Sequence, residues 1–173
     1  MAEPDFDHQR NVLWEAVYRL HYDTYYEELL VSRLLGKWSK IDVIIKVFVA
    51  VTSSTSAIAG WALWTRPDFK LIWGVISGVG ALCAILSSSL SVQSRIKEHT
   101  ASKENFSRLR NALEIIRHEM ALNPDFDVSK TDEQYKSLKE QYNDHLNGEE
   151  YDILVTSKLE HSIQTHLNTL IGS

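Results

Sequence analysis

The chain has 173 residues, one cysteine and a formal charge of −5. That length suits one domain, the lone cysteine excludes an internal disulfide, and the acidic total argues against a nucleic-acid partner. The averages conceal segregation: Val31 to Arg110 holds eleven Lys and Arg against four acids, a +7 middle between flanks that total −12. The mean hydropathy of −0.21 averages over the same division.

The opening "MAEPDFDHQR" is acidic and lacks an apolar core, so it does not read as a secretory signal. A first helix is predicted over about His8 to Lys37. Its apolar and aromatic positions (Leu13, Trp14, Val17, Tyr18, Tyr22, Tyr25, Leu29, Leu34) recur at three and four, which makes it amphipathic. It forms an N-terminal region over 1–45.

Two apolar runs follow. "VFVAVTSSTSAIAGWALW" covers Val47 to Trp64, after Lys46 and before Arg66. "TRPDFK" is a tight polar turn, and Leu71 to Val92 then carries no ionisable side chain except the Cys83 thiol, read as a small packing residue. Beyond Val92 the apolar signal weakens without a breaker, and Ile96, Phe106, Leu109, Leu113, Ile116 and Met120 keep helical spacing. One long helix from about Lys70 to Leu122 is therefore expected, stopped by "NPDFDVSK". "TDEQ" fits a capping box of Thr131 with Gln134, opening a helix over about Asp132 to Leu146. "NGEE" turns the chain into a last helix, about Glu149 to Ile171. The prolines fall at boundaries, no strand-like alternation or internal repeat occurs, and the chain reads as all helix.

The two runs are 18 and 22 residues long, and at about 1.5 Å per residue each matches a hydrocarbon layer of about 30 Å. A core helix of that length would show a polar face, and Leu71 to Val92 shows no charge on any face. Trp61, Trp64 and Trp73 take the interfacial belt position. Arg33, Lys37, Lys40 and Lys46 precede the first run, and Arg95, Lys97 and Lys103 follow the second. The positive-inside rule then puts both termini in the cytoplasm. Thr52 to Ser56, "TSSTS", is polar for a membrane helix, so a buried hairpin in a soluble bundle is the competing reading. Lys46 stands near the entry, where it could snorkel.

Gly74, Ser77, Gly78, Ala81, Ala84, Ser88 and Ser91 recur at three and four, and Thr52, Thr55, Ser56 and Ala59 share a face of the first run. The commoner meaning is close helix packing, with Gly74 and Gly78 a small-xxx-small pair and Ala81 beside them. The sharper one is a water path lined by Thr52, Thr55, Ser56, Ser77, Ser88 and Ser91, with Arg95 and Lys97 as a basic cytoplasmic mouth. One hairpin has too few helices to enclose a conduit, so a pore requires a homo-oligomer.

No catalytic, cofactor or metal motif emerges. The seven histidines are scattered, and His161 and His166, five apart, do not share a helix face. "DFDVSKTDEQYK" imitates a calcium loop, but Lys130 stands where glycine is required and Lys136 where glutamate is required. GxxxxGK[ST], GxGxxG and GxSxG are absent. An enzyme is not expected. The tyrosine-rich "YRLHYDTYYEELL" is acidic and reads as packing rather than base stacking.

The layout resembles the SLATT family of bacterial membrane effector domains. "YRLHYDTYYEELLVSRLLGKW" looks like the helix before the first span, the spans share a very short turn, and "SVQSRIKEHTASKENFSRLRNALEIIRHEM" looks like the helix leaving the second span. The resemblance covers roughly Tyr18 to Met120. It implies a role in bacterial conflict systems such as phage defence, with a nucleotide-signal synthase, nucleotide sensor or other protein as trigger, and pore opening or membrane disruption as the outcome.

The expectation is thus an all-α membrane protein of a bacterial inner membrane. It has a transmembrane hairpin at 46–94 (about 46–65 and 70–92) and a cytoplasmic helical bundle at 95–173 that packs with the first helix. It would act as an oligomeric channel or pore-forming effector gated through its cytoplasmic helices. A non-conducting scaffold that recruits a cytoplasmic partner is the alternative.

Overall fold

The computed structural model describes residues 3–63, 74–75, 78–83, 85, 90–123, 125–148 and 152–171, and within them the side chains of all but 3–6, 51–63, 148 and 171. Every element with bounds is a helix: α1 Glu3–Leu63, α2 Val92–Leu122, α3 Val128–Gly148 and α4 Ser157–Ile171. Helical backbone also occurs at 78–83. Among the described residues there is no strand. The chain divides into two units, Met1–Leu34 with His99–Ser173, and Leu35–Glu98.

The expected stop near Lys37 does not occur, and α1 runs on to Leu63. Its only glycine before Gly60 is Gly36, which weakens a helix by about 1 kcal/mol without breaking it. The opposite correction applies after the second run. The predicted continuous helix from Lys70 to Leu122 is interrupted at Leu90–Ser91, where Ser91 takes a left-handed φ of 47°. Its carbonyl accepts the amides of Ser94 (2.8 Å) and Arg95 (3.0 Å), so Ser91 caps α2 rather than continuing the helix before it.

The unit containing both termini has its core inside. Leu13, Val17 and Leu20 of α1 cluster with Leu113, Ile116 and Met120 of α2, and Phe126, Val128, Tyr135, Leu138 and Tyr142 pack against them. A second cluster holds Val31, Phe106 and Leu109 beneath Leu138, Tyr142 and Leu146. Falling numbers on α1 meet rising numbers on α2, so the two helices are antiparallel. Phe106 and Leu113 have no exposed surface, and such side chains each contribute about 1.5–3 kcal/mol. The Arg110 Nε donates to Glu28 Oε2 at 2.6 Å, with the guanidinium 5.1 Å from the Tyr25 ring, which adds a charged tie between α1 and α2.

α3 starts before the predicted capping box. Lys130 N donates to Asp127 Oδ1 at 3.1 Å, so Asp127 is the cap, and Thr131 already lies in the first turn with its hydroxyl on the Asp127 carbonyl at 2.8 Å. α4 starts later than expected, capped by Thr156, whose Oγ1 accepts Leu159 N at 3.3 Å. Ile163 and Leu167 are its buried face. The Tyr22 hydroxyl of α1 donates to Asn168 Oδ1 at 2.7 Å and accepts from Gln164 Nε2, which seats α4 along α1. The expected packing of the late helices with the first one is therefore met within one chain.

Candidate functional site

The unit Leu35–Glu98 distributes its apolar side chains differently. Trp38 and Val92 are buried, but Val43, Ile44, Val47 and Val49 of α1 are exposed, as are Val75, Val79, Leu82 and Ile85. Ile44 is 67 % exposed and Ile85 63 %. Val43 and Val47 share a helix face, and Val79 and Leu82 share another. Scattered exposed apolar residues are ordinary, whereas rows of them at helical spacing mark a surface that meets something other than water.

Where this apolar surface begins, the helices carry a polar tie. Asp42 Oδ2 accepts Lys46 Nζ at 2.6 Å, one turn along α1, and Asp42 Oδ1 accepts Gln93 Nε2 at 2.5 Å from the first turn of α2. Opposite charges one turn apart lower the burden of carrying either toward an apolar boundary. Neither the Asp42–Lys46 pair nor the part played by Gln93 was read from the sequence.

The expected pore-lining residues Thr52, Thr55, Ser56, Ser77 and Ser88 lie outside the residues whose side chains are described. Ser91 is described: it stands at the turn that precedes α2, with a φ of 47°. Gly74, Gly78 and Ala81 are helical and exposed. A methyl added at Gly74 or Gly78 meets nothing within 4 Å among the described residues. Arg95 is one-quarter exposed and lies 3.6 Å from Glu98, whereas Lys97 is exposed. Among the described residues no helix is long and apolar enough to cross a membrane. Most of the first apolar run and nearly half of the second lie outside the residues whose side chains are described.

Sequence reasoning also missed three buried polar side chains in the larger unit, His99, Asp152 and His21. His99 Nε2 donates to Asp152 Oδ2 at 2.7 Å, and Asp152 Oδ1 accepts Leu154 N at 2.7 Å, pinning the segment before α4 onto α2. His21 is buried with neither ring nitrogen hydrogen-bonded among the described residues. Burial holds its pKa below the ordinary 6.5; Arg117 and Arg110 push the same way, and Glu114 opposes them. Burial likewise raises the Asp23 carboxyl and the Tyr26 hydroxyl, the latter with help from Glu160. Among the described residues no group of three His, Cys, Asp or Glu could hold a metal ion.

No family model, curated protein or solved structure matches the chain. The functional reading therefore stands on the residues themselves and on the resemblance in organisation given above.

Proposed function

We propose that the chain is a bacterial inner-membrane effector. Its Leu35–Glu98 unit inserts as a two-helix hairpin, both termini stay in the cytoplasm, and copies assemble into an oligomeric channel or pore governed by the helical unit. The observation that carries this reading is the outward placement of Val43, Ile44, Val47, Val75, Val79, Leu82 and Ile85 in one unit, against the inward placement of Leu13, Val17, Phe106 and Leu113 in the other. Lipid removes the penalty for the first pattern, and water enforces the second. The sequence adds the charge-free run Leu71 to Val92, the cations on its inner flank and the hydroxyl face. The unfilled space beside Gly74 and Gly78 suits approach by a helix of another copy. The trigger, in this reading, is a nucleotide-signal or other partner acting on the helical unit, as the resemblance to the SLATT family implies.

The test is ion flux through liposomes containing the purified protein, paired with its oligomer mass in detergent. Flux that Ser88→Leu abolishes without changing that mass is the expected result. Loss of assembly in Ser88→Leu would make the hydroxyl face a packing seam. A stable oligomer that stays silent with its candidate triggers would favour the scaffold.

A further inference from the structure

Five of the sequence's inner-flank cations belong to Leu35–Glu98, and four of them, Lys40, Lys46, Arg95 and Lys97, lie within four residues of Asp42 or Gln93 along their helices, whereas Lys37 is further back and half-buried. The structure sorts these four into two kinds. Lys46 is held by Asp42 at 2.6 Å, and Arg95 lies beside Glu98 at 3.6 Å. Lys40 and Lys97 are exposed and form no ion pair among the described residues.

Their level is set by the backbone. The hydrogen bond between Gln93 and Asp42 places the first turn of α2 against that point of α1. Lys40 lies two residues back along α1, about 3 Å along its axis, and Lys97 four residues further along α2, about 6 Å. Each displacement runs along its own helix away from the apolar run that the helix adjoins: Lys40 away from the exposed row that starts at Val43, and Lys97 away from Val92. Both lysines therefore leave the backbone a few ångströms beyond an apolar run, on stems long enough to reach along it.

We propose that Lys40 and Lys97 bind the phosphates of anionic phospholipids at the rim of the bilayer. The proposal rests on the membrane reading above and adds a partner chemistry to it. Free lysines beside an apolar row match a lipid, which brings acyl chains and a phosphate to one place. Lysine is suited to this as a compact, hydrated point charge. A lysine near a membrane surface favours anionic lipid by about fivefold in affinity.

The experiment uses the full chain in mixed phosphatidylcholine and phosphatidylglycerol vesicles. Energy transfer from its tryptophans to pyrene-labelled phosphatidylglycerol is compared with transfer to pyrene-labelled phosphatidylcholine. The expected result is a preference for the anionic probe that falls about fivefold with Lys40→Gln or Lys97→Gln and disappears in the double variant, while all variants stay in the membrane after alkaline extraction. A preference unchanged in the double variant, with membrane retention intact, overturns the assignment and leaves the membrane reading standing. Wild-type protein released by alkaline extraction overturns both. Inorganic phosphate that abolishes the preference where chloride of equal ionic strength does not would identify a free-phosphate site and overturn the lipid assignment.

Discussion

Replacing Asp152 with alanine removes two hydrogen bonds at once. Oδ1 holds Leu154 N at 2.7 Å and Oδ2 holds His99 Nε2 at 2.7 Å, with Asp152 only 4 % exposed. The lost amide bond is worth about 1 kcal/mol, and a buried ring nitrogen left without its acceptor costs about 1–3 kcal/mol. The sum, about 2–4 kcal/mol, falls on the segment that leads into α4. Among the described contacts, that helix is also held by buried Ile163 and Leu167 and by the Tyr22 bonds to Gln164 and Asn168. Amide exchange in α4 is therefore expected to speed up by roughly 30- to 900-fold in Asp152→Ala, with the α1–α2 core amides around Leu113 unchanged. Asp152→Asn keeps one oxygen to accept the Leu154 amide and turns its NH2 toward His99 Nε2, which accepts it in the other ring tautomer, so it is expected to lose less than Asp152→Ala. Hydrogen exchange read by mass spectrometry on the full chain decides the matter. Exchange in α4 within about threefold of wild type would refute the reasoning, because the His99–Asp152 contact would then not hold α4.

Two further outcomes follow from the helical unit. His21 has a pKa lowered in the folded state by burial and by Arg117 and Arg110, so the native state binds fewer protons than the unfolded chain. Stability is then full above the unfolded value of 6.5 and falls as pH drops through 6.5 toward the lower folded value. His21→Leu is expected to be at least as stable at pH 7.5, since neither ring nitrogen has a partner among the described residues, and to lose part of the acid sensitivity seen in denaturation midpoints. Parallel pH dependence of variant and wild type would exclude His21 as the cause. Asp127→Ala removes the α3 cap and is expected to cost about 1 kcal/mol, read as faster exchange at the Lys130 amide, whereas Thr131→Val leaves that amide's protection in place.

The helical unit was legible in the sequence wherever packing follows helical period. Phe106, Leu109, Leu113, Ile116 and Met120 recur at three and four and are all buried, because one face of α2 meets α1 along its length. Trp14 and Tyr18 fit the same pattern yet stay partly exposed, since periodicity gives a face and not its partner. Boundaries were harder. Asp127 and Thr131 are four apart and both suit a cap; the hydroxyl of Thr131 bonds back to the Asp127 carbonyl, which leaves the earlier residue as the start. Ile153 to Val155 look like helix, but the Asp152 carboxylate holds them in a turn and Thr156 begins α4. The break at Ser91 has no local breaker and was invisible, as were the buried His99–Asp152 pair, 53 residues apart in the chain, and the isolated His21. For the candidate membrane face, the sequence marked the apolar runs and the flanking charge. It could not say which cations are occupied, because Lys46 and Arg95 are distinguished from Lys40 and Lys97 only by which acids reach them.

The most direct test of the account is the surroundings of Val79 and Leu82. Each would carry a spin label on a cysteine, in a chain whose Cys83 is replaced by serine and which is reconstituted in phospholipid vesicles. A label at Asn11, exposed on α1, serves as the aqueous reference. Labels at Val79 and Leu82 that are relaxed by oxygen and shielded from a water-soluble nickel chelate, while the Asn11 label shows the reverse, are the result expected of a lipid-facing hairpin. Labels at Val79 and Leu82 as open to the chelate as Asn11 would contradict it.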